Sequence, residues 1–141
     1  MLLPLLLLVP TPFLQETPAW DHLSADAAGI AANGACGGPR MSSDARYVVF
    51  ESLATNLGST DTNGTYDVYL RDRTLDTVEL VSVASDETQG NAASRWPNVS
   101  ADGRYVVFHS EATNLAAGDT NGLRDIFIRD RLLGLTERVS V

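Results

Sequence analysis

Tyr47-Val48-Val49-Phe50 recurs as Tyr105-Val106-Val107-Phe108, and the two copies stand 58 residues apart. The likeness extends on both sides without insertion or deletion. Residues 39–83 align with 97–141, and 26 of the 45 aligned pairs are identical. Self-similarity at a fixed period marks a unit that buries its apolar faces against copies of itself.

Each copy reads as four strands. The quoted segment lies in the second, at 46–52 and 104–110. It is apolar on consecutive rather than alternate positions, short, and rich in β-branched and aromatic residues, which predicts a strand covered on both faces. A short first strand is expected at 39–42 and 96–100, then a turn at Asp44-Ala45 or Asp102-Gly103. Gly103 tolerates the positive φ of such a turn, whereas Ala45 in the same geometry is strained by roughly 1 kcal/mol. The third strand, 67–72 and 125–130, is again apolar on both sides. The fourth, 78–83 and 136–141, alternates and suits an outer edge, preceded by a turn at Asp76 or Gly134. Four antiparallel strands with doubly buried inner members, repeated in tandem, describe β-propeller blades. The expected fold is therefore all-β: two four-stranded antiparallel blades.

Ser100-Ala101-Asp102-Gly103-Arg104-Tyr105-Val106-Val107-Phe108 resembles the strand–turn–strand signature of TolB-type propeller repeats, in which a Ser-x-Asp-Gly turn precedes an apolar strand. Asp125-Ile126-Phe127-Ile128-Arg129-Asp130 resembles that family's third strand. The resemblance covers about residues 39–141. Ala45 departs from it at the turn glycine, as do Ser43 and Ala101 where many members carry proline. It implies an extracytoplasmic scaffold, ligand-binding or protein-interaction module, in some members attached to a hydrolase domain.

A closed propeller needs roughly four to eight blades. Two blades leave apolar faces open, so further blades or self-association are needed to complete a ring. The expected division is a leader at 1–28, a first blade with its lead-in at 29–83, and a linker with the second blade at 84–141.

Loops of 14 residues, 53–66 and 111–124, join the second and third strands, and long loops are often functional. Both contain Asp-Thr-Asn-Gly-x-x-Asp, with oxygen-bearing side chains at Asp61, Asn63 and Asp67 and at Asp119, Asn121 and Asp125. That spacing, with a glycine to curl the backbone, suits a calcium ion completed by carbonyls and waters. It equally suits a calcium-free Asx turn in which Asn63-Gly64 and Asn121-Gly122 form the bend. The glycine is fourth rather than sixth, unlike the EF-hand loop.

Other chemistry finds little support. His22 and His109 are the only histidines, and Glu51 occupies the position matching His109, so no repeated general base exists. Arg71-Asp72-Arg73 and Arg129-Asp130-Arg131 read as ion pairs between blades, and Trp96 as packed on a neighbouring blade. All ten cations are arginine, and the net charge of −8 argues against a nucleic-acid partner. The lone Cys36 excludes an internal disulfide. The apolar stretch 2–14, broken by Pro4, Pro10 and Pro12, is too short to span a bilayer. It has the length of a secretory h-region, with Thr17-Pro18-Ala19 or Ala25-Asp26-Ala27 as small-residue cleavage sites, although no cation precedes Arg40. These features point to an exported, periplasmic or secreted, non-catalytic module binding a protein or glycan through its long loops. The alternative is an accessory propeller of a larger hydrolase.

Overall fold

The computed structural model describes residues 23–58 and 61–140. Of the leader expected at 1–28, residues 1–22, with His22, lie outside the described residues, whereas Ala25 is buried and its carbonyl accepts from Arg71. Among those described there is no helix, and eight strands form two separate sheets. They are β1 (Cys36–Met41), β2 (Tyr47–Ser52), β3 (Asp67–Asp72) and β4 (Thr77–Leu80), then β5 (Ser94–Val99), β6 (Tyr105–Ser110), β7 (Asp125–Asp130) and β8 (Leu135–Arg138). Each sheet runs in sequence order with antiparallel neighbours, and the two sheets do not close into a ring. The register repeats as well: Phe50 pairs with Tyr69, and Phe108 with Phe127. The fold is all-β, two tandem blades of propeller type.

Two boundaries differ from expectation. β1 and β5 begin earlier, at Cys36 and Ser94, and each carries a bulge, between Gly37 and Arg40 and between Arg95 and Asn98. β4 and β8 end at Leu80 and Arg138. The chain then leaves the regular ladder: Val81 and Val83 are buried, with the Val81 N–H still donating to the Val68 carbonyl and Val83 bridging Gln89.

Alternation along each strand separates two faces. On β2 and β3 one face carries Val48, Phe50 and Tyr69, and the other Val49, Val68 and Leu70. The second face packs against Val106, Phe108 and Phe127 of the following blade, with Ala112, Leu115 and Val81 completing one core. A smaller core of Phe50, Ala54, Leu57 and Tyr69 lies on the first face, with Ala32 against it. The inner strands of the first blade are thus buried on both faces, as their unbroken apolar run predicts. In the second blade burial alternates, because only one face has a neighbour.

The repeat continues upstream of the aligned sequence. Asn33 donates from its backbone to Asn56 Oδ1 and accepts from Thr55 N, and Asn91 does the same with Asn114 and Thr113. Ala25 bridges Ala31 as Val83 bridges Gln89, and both partners of the second bridge stand 58 residues after those of the first. Leu23-Ser24, Asn33 and Ala35 match Val81-Ser82, Asn91 and Ala93, so the signal was present in the sequence but thinly spread.

The turn at residue 45 has the strain expected of it. Ala45 has φ 58° and Gly103 has φ 72° in the matching turn. Ala45→Gly should raise stability by about 0.5–1 kcal/mol, because the left-handed conformation suits glycine. A denaturant melt showing no gain would mean the turn relaxes freely around the alanine.

Candidate functional site

The long loops leave the same end of both sheets, between β2 and β3 and between β6 and β7. In the first, Asp61 Oδ1 accepts from the backbone of Asn63 at 3.0 Å and of Gly64 at 3.2 Å, and Asn63 Oδ1 accepts from Thr65 N at 2.9 Å. These are nested Asx turns. Asp67 is fully buried at the start of β3. It accepts from Ser82 Oγ at 2.7 Å, Asn63 Nδ2 at 3.3 Å and Gln89 Nε2 at 2.7 Å. The same Gln89 amide donates to Asp61 Oδ1 at 3.1 Å, while its carbonyl accepts from the hydroxyl and backbone N–H of Thr62. One neutral amide from the connection to the second blade therefore bridges both carboxylates.

In the second loop, Asn121 Oδ1 accepts from Leu123 N at 2.8 Å, and Asn121 Nδ2 donates to Asp125 at 3.0 Å. Between Asp119 and Asp125 stands the Arg138 guanidinium, at 3.2 Å and 3.5 Å. Ser140 Oγ donates to Asp125 Oδ1 at 2.6 Å. Arg138 occupies the repeat position held by Leu80 in the first blade.

These neighbours give the two matching aspartates opposite electrostatics. Burial, reinforced by the charge of Asp61, pushes the Asp67 carboxyl up to about 6 against the hydrogen bonds from Ser82, Gln89 and Asn63. Asp125 is instead held below the usual carboxylate range, chiefly by the Ser140 hydrogen bond, with Asn121 and Arg138 acting in the same direction.

The structure brings Asp61, Asn63 and Asp67 together, and likewise Asp119, Asn121 and Asp125. The residues between each pair of carboxylates decide what the pair holds. A calcium ion bridging Asp61 and Asp67 would displace the Gln89 amide, and one bridging Asp119 and Asp125 would displace Arg138. Calcium prefers six to eight oxygen ligands, and nitrogen-borne hydrogens now face these carboxylates. Among the described residues no group of three or more His, Cys, Asp or Glu side chains is placed to hold a metal. Calcium at millimolar concentration is expected to leave the melting temperature unchanged, because the Gln89 amide and the Arg138 guanidinium already stand between the paired carboxylates. A saturable rise that disappears in Asp61→Ala with Asp119→Ala would establish the ion-binding alternative.

A second constellation at this end was read differently in the sequence. Trp96 is 53% exposed rather than packed beneath the neighbouring blade. It has φ 54° in the β5 bulge, where the first blade has Gly38 at φ 58°. A tryptophan in left-handed backbone is uncommon and costs on the order of 1 kcal/mol. Glu51 Oε2 of the first blade accepts the backbone N–H of Trp96 at 2.8 Å. The His109 ring meets the indole at 82°, with centroids 5.3 Å apart. Arg124 lies over the indole at 4.9 Å and pairs with Glu111, while Arg95 stacks 3.7 Å from the Tyr66 ring centre. Gly38 and Trp96 stand one position before the aligned residues, and neither the pairing nor its backbone conformation was read from the sequence.

The arginine triplets divide their work. Arg46 and Arg104 pair within their blades with Asp72 and Asp130, holding both acids well down, at about 2. Arg71 and Arg129 are buried and donate to the backbone at Ala25 and Ala84 in the segments preceding their own blades. Arg131 pairs with Glu79 across the blades, which is the interblade bond the sequence pattern anticipated.

No protein-family model and no curated protein matches the sequence. Among solved structures, TolB from Acinetobacter baumannii superposes with a TM-score of 0.48 at 20% identity, over 79% of this chain and 22% of that one. A TolB-type protein from Agrobacterium tumefaciens superposes with a TM-score of 0.47 at 22% identity, over 74% of this chain and 33% of that one. The chain thus spans between about a fifth and a third of their lengths.

Proposed function

We propose that the protein is a non-catalytic, exported interaction module that binds a protein or glycan partner at its loop end through Trp96, Tyr66, Arg95, His109 and Arg124. The observation that carries this reading is the exposed Trp96 in a backbone conformation its sister repeat assigns to glycine. Strain retained at a solvent-facing aromatic is a mark of function rather than of stability. Trp, Tyr and Arg are the side chains on which binding energy concentrates.

His109 packs on the indole, an arrangement that suits recognition better than proton transfer. The carboxylates of the Asp-Thr-Asn-Gly loops serve as turn anchors that hold this end rigid, with calcium the competing reading. Export rests on the apolar stretch 2–14, and among the described residues no helix is long and apolar enough to cross a membrane. Under the accessory-propeller alternative the same loop end would face a hydrolase domain.

Trp96→Gly separates binding from stability. Binding of the full chain to glycan and protein arrays should fall by about tenfold or more with this single substitution, while the melting temperature stays level or rises as the strain is relieved. Undiminished binding by Trp96→Gly would sink the reading.

A further inference from the structure

We propose that the uncovered face of β6 and β7 is the seat of a further blade of this repeat type bearing glycine at its first turn, and that a second copy of this chain does not fit it. The template lies within the molecule. On β2, β3 and β4 the face that receives the second blade presents Tyr47, Val49, Val68, Leu70 and Glu79. The matching positions of the second blade are Tyr105, Val107, Ile126, Ile128 and Glu137, the same chemistry residue for residue. Val49 and Val68 are 0% exposed, whereas Val107 and Ile126 are 36% and 38% exposed. Apolar side chains conserved in kind between the two faces, yet wet on one of them, mark a contact surface.

The internal interface also specifies what the occupant must carry. Tyr47 receives the 102–103 turn on its ring, so closely that a Cβ added at Gly103 would overlap the ring atoms. The Arg131 guanidinium lies 5.4 Å from the Tyr47 ring centre and pairs with Glu79. Tyr105 and Glu137 repeat this pair and require a turn glycine and a following Arg-Asp-Arg. A third requirement arises at the loop end. Asp119 Oδ2 is buried and, among the described residues, accepts no hydrogen bond, whereas Asp61 and Asp67 are bridged by the Gln89 amide from the connection to the next blade. A further blade entering as the second one does would supply that donor.

The first blade of another copy meets these requirements poorly. It carries Ala45 where the seat requires glycine. Its Val48, Phe50 and Tyr69 are already 3% exposed or less, so docking through them would bury little new apolar surface.

The test reads access to the face directly. In a Cys36→Ser background, Val107→Cys is labelled with a maleimide in the full chain, and in a chain extended beyond Val141 by a further copy of residues 84–141. Val139-Ser140-Val141 repeats Val81-Ser82-Val83, so the extension continues the repeat in register. Labelling should be about tenfold slower in the extended chain, as packed interiors exclude reagent. Changing to alanine the added glycine that matches Gly103 should restore much of the rate. In the unextended chain the rate should not depend on protein concentration. Equal rates in the two chains, or no effect of the alanine, would overturn the proposal. So would labelling that slows with concentration in the unextended chain, because a second copy would then be the occupant.

Discussion

Phe108→Ala lowers the stability of the chain by about 3–5 kcal/mol, a large part of what a domain of this size possesses. The ring is fully buried between the blades and stacks on Phe127 with centroids 6.0 Å apart. Removing it opens a cavity in the core that joins the two units, where neighbouring strands cannot collapse to fill it. A paired control isolates tertiary context from residue identity. Val49→Ala should cost about 2 kcal/mol, because that valine is sealed under the second blade, while Val107→Ala at the matching position should cost no more than about 0.5 kcal/mol. Denaturant unfolding of the three variants checks this. Equal costs for the two valines would mean that the interface does not form in solution.

Asp67 makes the stability of the first blade fall as pH rises from about 4 to about 6. Its carboxyl is pushed up to about 6 in the folded chain, against about 3.9 when unfolded. Between these values the folded state binds the extra proton, so the contribution is complete below pH 4 and is lost as pH climbs through the folded value. The integrated change is about 3 kcal/mol. Asp72 works in the opposite sense at lower pH: its carboxyl is held at about 2 by Arg46, and that stability is lost on acidification below about 4. Asp67→Asn should flatten the profile between pH 4 and 6.5 while lowering the whole curve, since its amide nitrogen would face the Gln89 amide donor. Chemical denaturation across that range is the measurement. A slope that survives in Asp67→Asn would assign it to another group.

Much of the architecture was legible because it depends on short-range rules. A doubly apolar run such as Tyr47-Val48-Val49-Phe50 admits few conformations other than a central strand. Asp102-Gly103 reads as a turn because glycine accepts positive φ, and the strain at Ala45 followed from the same rule. The bulges in β1 and β5 were not legible. That in β5 carries Trp96, whose backbone N–H is received by Glu51 of the first blade, 45 residues away.

At the loop end the sequence supplied the residue set but not its use. The spacing of Asp61, Asn63 and Asp67 is common to an ion site and to an Asx turn, since both need oxygens at short intervals around a flexible glycine. The two differ in what stands between the carboxylates, and that is Gln89 in one loop and Arg138 in the other. Neither belongs to the motif, so the local pattern carried no information about them.

The sequence by itself determined the period, the strands, the turn chemistry and the class of blade, because each follows from side chains no more than a few residues apart. Only the tertiary structure decided which faces are covered. Two blades of the same repeat acquire different burial, and Asp67 and Asp125 opposite electrostatics, from what is packed against them. The physical reason is that burial and desolvation belong to a residue's neighbours in space, and in a tandem repeat the two units do not have the same neighbours.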